Sequence, residues 1–278
     1  GLTWLDIDDL HCYFDRQFAA RRTVEVLKNN GYWTQLEELG PRLAINDRAK
    51  PYALLWGELT EFTNLYKLLY RALEGLGFVE EAYCPIEGLI PREKSIINVA
   101  ALVGLTEQPR ETLQVLGSNN RAHSIARPHL TAIVSELLIQ IKEQPWDYFT
   151  HTDLLDFPGA RTRVMIEDAE SYVQKDINIA ELFRRGKVAY LFERYCAENE
   201  LTIMLLCIAP GNQEVRTIPG MVQTWIHETH GSSAAERAKA DTALFVVLTK
   251  FDRRFEEAKG KDDSSEVRWT AAINNSLP

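Results

Sequence analysis

Along "PYALLWGELTEFTNLYKLLYRALEGLGF" (51–78), Leu55, Leu59, Phe62, Tyr66, Leu69, Leu73 and Leu76 recur at alternating steps of four and three. That rhythm lays one apolar stripe along an α-helix. Pro51 suits a first helical turn, where its missing N–H is no loss, and Gly77 supplies a C-terminal stop. "DRQFAARRTVEVLKNNGYW" repeats the amphipathic pattern and stops near Gly31. "SIINVAALVGL" is short and apolar, so its period does not separate a helix from a buried strand. Residues 1–127 are expected to form a mostly α-helical subdomain or insertion, with the tyrosines and tryptophans filling its core.

From residue 128 the rhythm changes. "SELLIQIKEQPWDYFTHTDLLDFPG" predicts two strands joined by a turn near Pro145. "IAELFRRGKVAYLFERYCAENE" follows as a helix, "LTIMLLCIA" as a buried strand, "MVQTWIHETHG" as a helix and "TALFVVLTKFD" as a strand with a polar end. Apolar strands alternating with helices give an α/β layer with a mainly parallel sheet over 128–278. In such sheets ligands gather beyond the carboxyl ends of the strands. "DFPG" and "TKFD" both stand at those ends.

Those two tips carry the candidate chemistry. Asp156 at a strand end can hold Mg²⁺ through a bound water, and Gly159 lets backbone approach a γ-phosphate where a Cβ would collide. This is the D-x-x-G arrangement of GTP-binding proteins; the same Asp-x-Pro-Gly is equally natural as a plain turn. In Thr249-Lys250-Phe251-Asp252, the aspartate can accept two hydrogen bonds from a guanine edge while the lysine stem lies along the base. Thr249 would tie neighbouring loops together, and a strand capped by a surface Lys and Asp is the plain alternative. The conjunction favours the nucleotide reading: 93 positions separate Asp156 from Thr249, room for one further strand and its helices.

Composition narrows the partners. The formal charge is −9 with no long basic block, which disfavours a nucleic-acid partner. Cys12, Cys84, Cys196 and Cys207 are scattered and form no C-x-x-C, so free thiols are expected, with Cys207 buried inside its apolar run. The longest apolar run, residues 201–209, is about half the ~20 residues of a bilayer span, so no transmembrane segment is expected. "HETH" (227–230) lacks the four-residue histidine spacing of a zincin and reads as a helix end. "LDIDDL" (5–10) lacks the spacing of a calcium loop and reads as a solvated helix start.

"TDLLDFPGARTR", "APGNQEV", "TWIHETHG" and "ALFVVLTKFD" together resemble the SrfC-like family of bacterial virulence factors, over at least residues 123–278. The resemblance implies a large multidomain bacterial protein with a P-loop GTPase-like region, and does not establish an activity. Carried over by position, Asp156 and Gly159 are the magnesium and γ-phosphate elements, and Thr249, Lys250 and Asp252 read the base. Two departures stand out. No G-x-x-x-x-G-K-[ST] occurs in these 278 residues, and Ala160 stands where many GTPases carry a water-orienting glutamine. Arg161 and Arg163 are the candidate charge stabilisers for any hydrolysis, or else salt-bridging residues of a loop.

The expected fold class is therefore α/β: a partial P-loop GTPase-like, mainly parallel sheet with a largely helical N-terminal subdomain or insertion. On this reading the chain is a central portion, with its P-loop before Gly1 and the last guanine-contacting loop after Pro278. The expected ligands are GTP or GDP and Mg²⁺ in the intact protein, and the expected protein partners are unidentified. The expected location is the bacterial cytoplasm, with export or a host-directed role left open. A non-catalytic interaction scaffold on a degenerate GTPase-like fold is the alternative.

Overall fold

The computed structural model describes residues 2–107, 111–139, 142–156, 166, 168–208, 218–239, 241–250, 266, 267 and 270. The chain divides into two compact units: 1–150 with 166–186, and 151–165 with 187–278.

In the first unit, α1 (Trp4–Phe18) starts on a capping box. Thr3 Oγ1 accepts from the Asp6 N–H at 3.4 Å, and an Asp6 carboxylate oxygen accepts from the Thr3 N–H at 2.6 Å. The acids of "LDIDDL" thus do open a helix. A turn separates α1 from α2 (Arg22–Asn29), and Gly31, at φ +65°, admits α3 (Tyr32–Leu39). Ile7, Tyr32, Trp33, Leu36 and Tyr52 form the buried centre of this helical layer.

The stripe expected to run unbroken from Pro51 is interrupted. Pro51 lies late in α4 (Ile45–Ala53), and a 3₁₀ turn, Leu54–Trp56, follows. Gly57 and Glu58 then take positive φ and turn the chain into α5 (Thr60–Leu76). Gly77 stops α5 at φ +81°, with its N–H donating to the Glu74 carbonyl at 3.0 Å.

The N-terminal half also contains a sheet that periodicity did not predict. β1 (Ala82–Tyr83), β2 (Thr112–Gly117) and β3 (Ala122–Ala126) pair antiparallel in the order β1-β2-β3. β2 alternates exposed and buried residues, so Leu113 and Val115 enter a core with Ala72, Leu76, Ile96, Ile125 and Leu130. α6 (Arg127–Ile133) follows, with Pro128 in its first turn. Arg127 donates to the carbonyls of Glu87, Gly88 and Lys94, pinning that loop. "SIINVAALVGL" resolves as neither long helix nor strand: Val99–Leu102 is a 3₁₀ turn.

The two strands expected around Pro145 do not form among the described residues. Residues 135–139 and 142–156 are irregular apart from a 3₁₀ turn, Asp147–Thr150. Leu138, Ile139 and Leu154 are exposed. α7 (Ala169–Val173) is capped by Asp168, and Val173 joins a third core with Leu65, Leu102, Leu105, Ala132 and Ile179. α8 (Asp176–Ala197) carries the chain across the division at Gly186 and Lys187.

The second unit adds β4 (Met204–Ile208), α9 (Ile218–His230), α10 (Ala234–Arg237) and β5 (Leu244–Leu248). β4 and β5 pair parallel, from Met204 opposite Leu244 to Ile208 opposite Leu248. Phe192, Cys196 and Trp225 are buried beneath them with Leu201, Met204, Met221 and Leu244. The Trp225 indole N–H donates to the Leu201 carbonyl at 2.7 Å, which satisfies the polar atom of a deeply buried ring.

Cys207, expected to be buried, is exposed, and Cys196 is the buried thiol instead. Met204 packs into the core, while Leu205 and Cys207 fall on the opposite, exposed face of the same strand. All four cysteines are free. Among the described residues the protein is thus mixed α/β, with one small antiparallel and one small parallel sheet. Among the described residues no helix is long and apolar enough to cross a membrane.

Candidate site at the carboxyl rim of the parallel strand pair

Two parallel strands joined through helices place their carboxyl ends on one rim, and the β4–β5 pair has such a rim. The pair opens with the Met204 N–H donating to the Ala243 carbonyl at 2.8 Å. It closes at Thr249, whose N–H donates to the Ile208 carbonyl at 3.0 Å. The Thr249 hydroxyl donates to that same carbonyl at 3.3 Å. A half-buried threonine therefore holds the end of β5 to the last residue of β4 by two bonds.

Lys250 follows at φ +50°, in the left-handed region that a residue with a Cβ enters at a cost of about 1–2 kcal/mol. The chain turns sharply there, and Lys250 is exposed at the rim. Asp252 lies outside the described residues, as do Gly159, Arg161 and Arg163. Asp156 is described: it belongs to the same unit, is exposed, and sits in irregular backbone at 151–156. The strand expected to end at Asp156 is therefore absent from the described backbone. Of the sequence-derived set, the structure ties Thr249 to the tip of β4, with Lys250 next in the chain, and among the described residues it shows no contact that joins Asp156 to them.

The surroundings of the rim are structural. Burial pushes the Cys196 thiol up to about 12, which leaves it protonated and inert at neutral pH. The "HETH" residues end α9 as expected. The His230 Nδ1 lies 2.6 Å from the Thr229 hydroxyl, and its ring packs 4.8 Å from that of Trp225. That arrangement is core packing at a helix end.

In the first unit, a groove lined by Glu61, Thr106, Gln174 and Asp176 already pairs its polar groups with one another. Gln174 donates to Glu61 at 2.9 Å, and Thr106 to Asp176. Buried Arg48 likewise serves the fold, donating to the Leu43 carbonyl at 2.8 Å with its guanidinium 5.3 Å from the Tyr70 ring centre. One further set, Asp8 with His11 and Glu37, is only partly legible in the sequence, because its third member comes from another helix. The D-x-x-H spacing of the first two was the available signal.

Compared with known protein families, the chain matches over residues 1–278 the model of one described as "Putative bacterial virulence factor". No curated protein and no solved structure matches it.

Proposed function

The chain belongs to that family, described as "Putative bacterial virulence factor", and from this premise we propose that it forms part of a guanine-nucleotide-dependent switch. The observation that carries the reading is Thr249, which begins Thr-Lys-Phe-Asp and locks the end of β5 onto the neighbouring parallel strand. A base-reading T-K-x-D needs its first residue in that tying role, with Lys250 and Asp252 just beyond it. Asp252 would accept the guanine N1–H and N2–H, and the Lys250 stem would cover the base.

Asp156, an exposed carboxylate, is the hard oxygen donor that Mg²⁺ takes, and would hold the ion through water. Gly159 would admit the γ-phosphate. Arg161 and Arg163 are the groups available to stabilise charge if hydrolysis occurs. The phosphate cradle would come from elsewhere in the intact protein, in line with the SrfC-like resemblance.

The test is titration of the intact protein with GTP, XTP and ATP in the presence of Mg²⁺. GTP is expected to bind in preference to ATP. Asp252→Asn replaces one acceptor by a donor, which matches the xanthine edge, so the preference should pass from GTP to XTP. Losing a charge-assisted bond costs about 1.5–3 kcal/mol, roughly a tenfold to hundredfold fall in GTP affinity. Asp156→Ala should weaken Mg²⁺-dependent binding and leave the thermal midpoint in place. Equal binding of GTP and ATP, untouched by either substitution, would leave a non-catalytic scaffold as the reading.

A further inference from the structure

We infer that Asp8, His11 and Glu37 form a binding site for a divalent transition-metal ion, in the first unit and independent of the nucleotide proposal. Asp8, His11 and Asp15 recur at steps of three and four along α1, so they share one helix face. α3 packs against α1 and presents Trp33 and Glu37, four residues apart, on its facing side. Trp33 is buried and stacks on the His11 ring, with centroids 4.7 Å apart and planes 15° apart, which fixes the imidazole's orientation. One ligand atom from each of Asp8, His11 and Glu37 then lies within 4.8 Å of the others.

The distances describe a ring without a hydrogen-bonded partner at either nitrogen. The His11 Nδ1 stands 4.0 Å from a Glu37 carboxylate oxygen, and the Nε2 stands 3.6 Å from an Asp15 oxygen, both too long for hydrogen bonds. The Nε2 atom is buried and unbonded. Two ligands on one ion, each about 2.1 Å from it, stand at most about 4.2 Å apart. The Nδ1–Glu37 separation falls within that bound, and the whole set, within 4.8 Å, needs only a small contraction to reach it.

Asp15 completes the arrangement from behind. Lys28 donates to its carboxylate at 2.7 Å, which orients it toward the Nε2 side of the ring. If the 3.6 Å gap to Nε2 closes to a hydrogen bond on metal binding, that carboxylate would fix the imidazole's tautomer and raise its basicity as a ligand. One imidazole and two carboxylates suit Zn²⁺, Co²⁺ or Ni²⁺; the nitrogen donor disfavours Ca²⁺ and Mg²⁺, which take oxygen. All three ligands are half-buried, so the ion would keep open positions for water.

The experiment is calorimetric titration of the chelator-treated chain with Zn²⁺, alongside thermal melts with and without the ion. One Zn²⁺ per chain is expected, with a raised thermal midpoint. Glu37→Gln and Asp8→Asn, both on solvent-reaching carboxylates, should each weaken binding tenfold or more and remove the midpoint shift. His11→Gln should abolish it, with folding checked by circular dichroism. Cys12→Ser and His227→Gln should leave binding unchanged. Asp15→Asn should weaken binding less than loss of a ligand. No binding tighter than roughly 100 µM, or binding that survives Glu37→Gln and Asp8→Asn alike, would overturn the assignment.

Discussion

His129 lies buried in α6 with its Nε2 3.1 Å from the Leu105 carbonyl, so the nitrogen must carry a proton and donate. Burial lowers the pKa of this imidazole below its ordinary value, against the smaller opposing effect of the Leu105 bond. The folded chain therefore binds this proton only at lower pH than the unfolded chain does. Stability from this group is complete above the unfolded value near 6.5 and is lost as pH falls toward the folded one. His129→Gln keeps a donor for Leu105 without a titrating ring. Urea unfolding at about pH 7.5 and about pH 5.5 should show the natural chain losing more stability on acidification than the variant. A second residue-scale outcome concerns thiols: Cys12 and Cys207 are exposed, whereas Cys196 is buried and raised to about 12. Brief alkylation near pH 8 should label the first two, and Cys196 only after denaturant is added, as read by peptide mass spectrometry.

Among elements, α5 shows how one residue sets a boundary. Gly77 holds φ +81°, and a Cβ there would meet the Asn119 amide nitrogen at 2.8 Å. That amide donates to the Leu76 carbonyl at 3.0 Å, the last of the helix. Gly77→Ala should therefore cost about 1–2 kcal/mol from backbone strain alone, more if the Asn119 bond is lost, as measured by chemical denaturation. This stop was legible in the sequence, as were α8, β4, α9 and β5, because each is long or strongly apolar and bounded by turn residues. β2 and β3 were not: at five or six residues each, their alternation is too short to stand out within a stretch expected to be mostly helical. The stretch 135–156 failed in the opposite direction. An apolar run looks the same whether or not a partner strand lies beside it, and pairing is decided by residues far away in the chain. Thr249 at a strand tip was legible from the polar end of "TALFVVLTKFD"; its bond to Ile208 required the parallel register. The Asp8–His11–Glu37 set was half legible, since only the α1–α3 packing supplies Glu37.

At the scale of the molecule, the nucleotide proposal and the metal proposal fall in different compact units, and α8 is a regular element that spans the division between them. Its sequence is weakest where the division falls. Gly186 stands inside a helix of 22 residues, where glycine costs about 0.5–1 kcal/mol relative to alanine. No steric reason for the glycine exists locally, since a Cβ built there meets nothing within 4 Å. Gly186→Ala should thus stabilise the chain by about that amount, raising the thermal midpoint by roughly 1–4 °C. Hydrogen exchange of the amides flanking Gly186 should slow by about the same free energy, two- to fivefold, if local opening of α8 governs it. An unchanged midpoint with slowed exchange would mark the opening as local to the helix. A lowered midpoint would mean that the folded chain needs a backbone at position 186 that only glycine supplies, and the continuity of α8 through the division would have to be given up.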